Sequence, residues 1–533
     1  AATILASSTL ISSLLGFFRD RLLNATYMPN KEAGLAGYSV GLDAYTAAFM
    51  VPDFMFAVLV SGALSVTFIP IFNARWAKGN KQSAWQISSS MINFMALVTL
   101  LTSALIMIFA DPLMKYLIAP GLSESGHALA VSMMRVIAVN PFIFSIAAVI
   151  ASMQQAVGRF MFTALAPMIY NIGIIIGIVW FTGGINIFGW QIFDGGIMGV
   201  ALGVALGSIM QLLVSAMGLV GLGFDYEFKL HWRNHGFRKV LSLLPARSVD
   251  QGMDYVVSLV EVNLASRLSD GTIRAYQQAL TLHYMPINLI GVAISSAAFP
   301  QLSERLAHGR KDLFVKDVRN LLRAMIWMIL PVVAVMFFTR GYIAHFISNT
   351  GNILIAGILG VLVVAIAFRT VYHMLARTFY VQQDTKTPMY VSFVAIGLNI
   401  ILAIWLAMFT SLGAYGLAFA QSIVAVLEVL LLLMILQRRL GNLLNKELFM
   451  ALGRMMMAFL LTAIVIYIFV SILPFRASDR SFFAAFPKFL VISLAGFGTY
   501  LVTSKLLKIP EVEPVLRQVK RLLFVRFEVK NKP

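Results

Sequence analysis

Runs of about twenty apolar residues recur from one end of this 533-residue chain to the other. Each is long enough to cross a ~30 Å hydrocarbon core as a helix. In lipid, every backbone amide must be satisfied within the protein, so such runs become helices. A β-barrel would instead alternate over segments of ~10 residues. The chain is 59% hydrophobic and 12% charged, about half the charged fraction of an average soluble protein. The expected fold is an all-α polytopic membrane protein.

Fourteen transmembrane helices are expected, from residues 2–24 to residues 485–507, with the seventh at 243–267. Loops after even-numbered spans are rich in Lys and Arg, as in Lys229, Arg233, Arg238 and Lys239, and again in Arg305, Arg310, Lys311, Lys316 and Arg319. Loops after odd-numbered spans are poorer, with Lys31, Lys115, Arg274 and Arg340 among their few cations. The positive-inside rule then puts both termini in the cytoplasm. The net charge of +18 is read as loops facing anionic lipids, not nucleic acid. No cleavage-site pattern follows the first run, so no signal peptide is expected.

The first twelve spans carry an internal repeat. The pairs Ala44-Tyr45 and Ala275-Tyr276 lie 231 residues apart, and Pro70 and Pro300 lie 230 apart. QQAVGRFMF (154–162) resembles QQDTKTPMY (382–390), and Asn171 and Asn399 each follow the second Gln by 16 residues. One offset near 230 relates spans 1–6 to spans 7–12. Six is even, so the halves form a parallel repeat. The expected organisation is an N-terminal six-helix lobe at 1–222, a C-terminal six-helix lobe at 223–440, two additional C-terminal helices at 441–509, and a basic amphipathic cytoplasmic tail at 510–533.

Charges inside such helices cost about 2.5–3.5 kcal/mol each on insertion scales, so they should face water or protein. In the seventh span Arg247, Asp250, Asp254 and Glu261 fall within roughly 60° at about 100° per residue. That edge either lines a cavity or forms a fixed ion-pair network. Arg19 and Asp20 sit a little past the middle of the first helix, and adjacent residues point ~100° apart. One should face a cleft while the other braces a neighbour. In the second span Asp43 lies near the outer end, and Asp53 lies deeper, just after Pro52. His283 is buried in the eighth span, where a satisfied core histidine competes with a functional one. The small-residue run GVALG (203–207) reads as helix packing. The chain has no cysteine and no Walker A sequence, so thiol chemistry and ATP hydrolysis through that motif are not expected.

The stretches LLGFFRD (14–20), LDAYTAAFMVPD (42–53), YLIAPGL (116–122), GRFMFTALAPMIYNIG (158–173) and FYVQQDTKTP (379–388) resemble the MurJ/MviN family, within the MATE-like exporter superfamily. The resemblance implies two six-helix lobes around a cationic cavity, with the last two helices forming a groove for a lipid tail. It also implies a flippase without covalent chemistry, moving lipid II from the inner to the outer leaflet of the bacterial inner membrane by alternating access. Lipid II is the undecaprenyl-pyrophosphate-linked disaccharide-pentapeptide. A monomer is expected. Arg19 and Asp20 match the family pair thought to engage the pyrophosphate region, and Asp43 matches an acidic position of the second helix. Asp53, Arg247, Asp250 and Asp254 join them as candidate substrate contacts. The eighth-helix Arg of the family corresponds to Thr281, with His283 one alignment slip away. The family's second-helix Arg pair corresponds to Phe56 and Ala57. Glu261, Asp384 and Asn399 are the candidates for ion coupling, with Glu261 the possible sodium ligand. Coupling to sodium, to protons or to the membrane potential is expected, and no other cofactor. The alternatives are an exporter of cationic drugs, a flippase for another polyprenyl-pyrophosphate-linked glycan, and a membrane scaffold.

Overall fold

The computed structural model of the chain describes residues 2–27, 40–61, 67–187, 190–348, 352–476, 479 and 481–517; within these, the side chains of 2–7, 9, 61, 185, 187, 190–192 and 243–254 lie outside the description. Fourteen long helices run through it. In chain order they are α1 (Ala2–Tyr27), α2 (Val40–Val60), α3 (Lys81–Ile108), α4 (Glu124–Ala156), α5 (Met161–Gly183), α6 (Met198–Met217) and α7 (His235–Ser266). They continue as α8 (Thr272–Ala307), α9 (Lys311–Phe338), α10 (Ile353–Val381), α11 (Lys386–Met408), α12 (Ala414–Leu440), α13 (Lys446–Ile472) and α14 (Phe482–Leu506).

Twelve of these are long and apolar enough to cross a membrane among the described residues; the other two are α1 and α7. Both are long enough, at 26 and 32 residues, or roughly 39 and 48 Å at ~1.5 Å per residue. Among the described residues of α7, Tyr255–Ser266 is an apolar stretch. This is a multi-pass membrane protein. Among the described residues its only strands form an antiparallel hairpin, Ile185–Ile187 with Trp190–Phe193.

The chain divides into two compact units, Ala1–Ala275 and Tyr276–Pro533. The division falls one helix after residue 222, because α7 packs on α2, with the rings of Phe54 and Tyr255 6.3 Å apart. The first unit centres on an aromatic cluster of Phe68, Phe72, Trp85 and Phe237. Within it α5 and α6 touch backbone to backbone. A Cβ added to Gly173 would lie 2.2 Å from Gly207 Cα, and one on Gly177 would lie 2.6 Å from Gly203 Cα. GVALG is thus a close-packing stripe. The second unit centres on Leu302, Phe314, Met374, Phe379 and Leu432. The last two helices pack on α9 in that unit, where Trp327 Nε1 donates to Ser504 Oγ at 3.0 Å. Val512, after Pro510, is buried in the same cluster. Most of the expected tail, residues 518–533, lies outside the described residues.

The repeat is visible in backbone detail. Helix α2 widens into a π-turn at Ala57–Ser61, and α8 does so at Ile287–Val292. The two turns begin 230 residues apart, at 57 and 287. Pro52 precedes the first and Pro286 the second, each lacking the amide that a regular turn would use.

Candidate functional site

Helix α1 carries Gly16, Arg19, Asp20 and Asn24 along two turns. Gly16 faces α5: a Cβ there would lie in ordinary contact with Asn171 Oδ1, at 3.7 Å. Arg19 Nη1 donates to that oxygen at 2.9 Å. Asn171 Nδ2 donates one turn back to the carbonyl of Pro167, a proline inside the helix, at 3.0 Å. The Asn side chain is thereby oriented with its oxygen toward Arg19.

Asp20 is the hub. Its Oδ1 accepts from Arg19 Nη2 at 3.0 Å and Arg19 Nε at 3.3 Å, and from Arg274 Nη2 at 3.4 Å. Arg274 also donates through Nε and Nη2 to Asn24 Oδ1, both at 3.2 Å. Asp20 is 8% exposed, Asn24 0% and Arg274 5%, whereas the Arg19 side chain keeps 22%. Two guanidinium groups face one carboxylate, which leaves the triad one positive charge in excess. Asp53, Tyr45 and Tyr170 lie within electrostatic reach of Arg19. In a site removed from water these charges act at low effective dielectric, so the exposed end of Arg19 is a strong point of attraction for an anion.

Arg274 corrects the sequence reading, which counted it among the loop cations. It lies in the first turn of α8 because Asp43 caps that helix. Asp43 Oδ2 accepts from the Gly271 amide at 2.6 Å and Oδ1 from the Arg274 amide at 2.8 Å. Both carboxylate oxygens of Asp43 are thus taken by backbone, and the residue is 2% exposed. Its role here is to seat Arg274. The repeat contained the signal: Arg274 precedes Ala275-Tyr276 as Asp43 precedes Ala44-Tyr45.

The remaining candidates are dispersed. Glu261 lies deep in α7 and is 2% exposed. The side chains of Arg247, Asp250 and Asp254 lie outside the described residues. Thr281 is exposed and donates to Gln277 O of its own helix at 3.0 Å. His283 is 3% exposed, and its Nδ1 has no hydrogen-bond partner among the described residues. Asn399 is 3% exposed, with Nδ2 likewise unpartnered. Asp384 sits in the loop before α11. It accepts from the Thr387 hydroxyl at 2.6 Å and the Thr387 amide at 3.0 Å, and pairs with Arg439. The Thr387 hydroxyl, with its amide and Arg439, holds the Asp384 carboxyl down at about 2.

Residues 33–485 match the family model described as lipid II flippase MurJ. The chain belongs to this family. The match begins after α1, so the placement of Arg19 and Asp20 rests on their geometry. The probable lipid II flippase MurJ of Thermotoga maritima is 26% identical over 521 residues, covering 96% of this chain and 97% of the relative. The lipid II flippase MurJ of Burkholderia cenocepacia is 24% identical over 456 residues, covering 81% and 82%. Among solved structures, a lipid II flippase MurJ in an inward closed conformation aligns with a TM-score of 0.73 at 23% identity, covering 95% of this chain and 98% of that one. An inward-facing MATE family multidrug transporter aligns at 0.64 and 15% identity, covering 83% and 99%. At these identities the structures speak for the fold: the MurJ family and the MATE transporters share this helical architecture.

Proposed function

We propose that this protein carries lipid II from the inner to the outer leaflet of the bacterial inner membrane by alternating access, with both termini in the cytoplasm. The observation that carries the reading is the buried triad of Arg19, Asp20 and Arg274. A buried charge cluster contributes little to stability compared with apolar packing, so its retention in a membrane helix points to work on a charged ligand. The work required is to replace water around a pyrophosphate while the polyprenyl tail stays in lipid. Arg19 offers a planar, permanently charged fork. Asp20, itself held by Arg274, fixes the direction of that fork in advance, which lowers the ordering cost of binding. No bond needs to be made or broken.

Ligand-driven closure needs a difference in affinity between the two states, and a downhill ion can supply it. We assign that coupling to Glu261, which is buried in α7. A single buried acid in a membrane helix suits a monovalent cation or a proton. The test of the function is genetic. The chain should sustain growth of a bacterium depleted of its own lipid II flippase. Failure to do so at normal membrane abundance, together with no lipid II movement in reconstituted vesicles, overturns the reading.

A further inference from the structure

The second unit holds a cluster of charge to which the sequence reading assigned no site, counting only Arg377 as a loop cation. Helix α10 is strongly apolar, with a mean hydropathy of 2.5 over its best window. Its second half nevertheless carries Arg369, His373 and Arg377. Spacing of four residues keeps the three within roughly 80° and strings them over about 12 Å. All three are partly exposed, while the intervening Thr370, Met374 and Leu375 are buried. Hydrocarbon does not solvate two guanidinium groups, so this face borders polar space.

Arg369 Nη1 donates to Glu428 Oε2 of α12 at 2.9 Å, and Glu428 Oε1 accepts from Ser392 of α11 at 2.9 Å. Glu428 is 2% exposed, whereas the Arg369 side chain keeps 29%. The carboxylate thus anchors the guanidinium from behind and leaves part of it uncovered. Arg377 Nη2 donates to Ser296 Oγ of α8 at 2.9 Å and lies 5.9 Å from the centre of the Phe299 ring. No carboxylate lies within ion-pair distance of Arg377 among the described residues. His283 and His373 are within electrostatic reach of Arg369, and His373 also of Arg377. Two permanent cations therefore meet one acid, on a helix where apolar side chains would have packed better.

We propose that the Arg369–His373–Arg377 face of α10 is an anion-binding surface that takes the diphosphate of a polyprenyl-linked glycan. It rests on the flippase reading and adds to it a second place where the same charged group is held.

The experiment uses the purified full chain in detergent. Its probes are undecaprenyl diphosphate and the neutral alcohol undecaprenol, with inorganic pyrophosphate as competitor, and binding is read by native mass spectrometry. Arg377→Gln keeps a donor for Ser296, and the pair Arg369→Gln with Glu428→Gln avoids stranding a buried acid. Each should weaken diphosphate binding about tenfold or more, equivalent to ~1.4 kcal/mol, and leave undecaprenol binding unchanged. Arg377→Lys should retain part of it. In the wild type, undecaprenyl diphosphate should shield Arg377 from an arginine-selective dicarbonyl reagent where undecaprenol does not; this reading needs no variant to fold. Unchanged diphosphate affinity in folded variants, or equal labelling of Arg377 with both probes, overturns the proposal. The two ideas separate cleanly. Rescue of depleted cells by the wild type, with diphosphate affinity unchanged in the α10 variants and no shielding of Arg377, leaves a flippase without this surface. Loss of diphosphate affinity in those variants, with shielding of Arg377 but no rescue by the wild type, leaves the surface and removes the flippase.

Discussion

Asn171 and Asn399 occupy corresponding places in the two sequence repeats, 228 residues apart, and their surroundings differ. Asn171 is fully used. Its oxygen receives Arg19, and its amide reaches Pro167 O. Asn399 is as deeply buried, yet its Nδ2 has no hydrogen-bond partner among the described residues. The acids differ in the same way. The first unit puts Asp20 between two arginines and keeps Glu261 deep in α7; the second ties its buried Glu428 to a single arginine and a serine. Repetition has preserved the helix path, down to the π-turns, while the polar groups have diverged. The first unit carries a closed, oriented network, and the second carries donors held in reserve.

The comparison predicts unequal responses to mutation. The largest effect belongs to Arg19→Ala, which should abolish rescue of flippase-depleted cells at normal abundance. Arg19→Lys should be partly active, because a point charge lacks the fork that spans Asp20 and Asn171. Full rescue by the alanine variant would remove Arg19 from the site. Next is Glu261→Gln, which should keep the fold and lose ion-dependent turnover. Transport measured against sodium concentration and pH in vesicles decides it, and coincident curves for variant and wild type would make Glu261 structural.

A direct contrast follows in the paired asparagines. Asn171→Leu removes a hydrogen bond to a charged group and should cost about 1.5–3 kcal/mol. Asn399→Leu removes an unmet donor and should leave the unfolding temperature unchanged or raise it. Equal losses in thermal unfolding would show that the two positions are equivalent after all. Asp43→Ala should cost about 1–2 kcal/mol as a lost helix cap, and Asp43→Asn less, since one acceptor survives. An unchanged melting temperature in the alanine variant would return Asp43 to the list of ligand contacts. The smallest effect is one of pH. The folded Asp384 carboxyl is held at about 2, below its value of about 3.9 in an unfolded chain. Its contribution to stability is complete above pH ~4 and is lost as pH falls toward 2. Asp384→Asn should flatten acid unfolding in that window alone.

Much of the helical frame was legible because it follows from hydropathy over windows of twenty residues. The same averaging hid the polar sites. Arg369 sits in a helix of mean hydropathy 2.5 and Glu428 in another of 2.5, so one charge in each window vanishes in the mean. Arg19 was legible because it stands beside Asp20 in a recognisable stretch. Arg274 was not, because its burial depends on a cap supplied from 231 residues earlier. Asp43 and Asp384 looked like ligand acids in the sequence, and in the structure both accept from backbone amides at helix starts. A carboxylate that caps a helix and one that waits for a cation are the same letter. Only the partner, fixed by the fold, tells them apart.

The clasp between Asp43 and the start of α8 also has a consequence in time. Its two sides are separated by 228 residues of chain. At ribosomal speeds of about 5–20 residues per second, roughly 10–45 s pass between the synthesis of one side and the other. Through that interval α2 is already made, with a carboxylate that has no amides to receive. The nascent protein must shelter this acid, by delaying the release of α2 into lipid or by letting it carry a proton until α8 arrives. The residue that steadies the finished molecule is therefore an exposed point during its birth, and a cell short of insertion machinery should feel it there first.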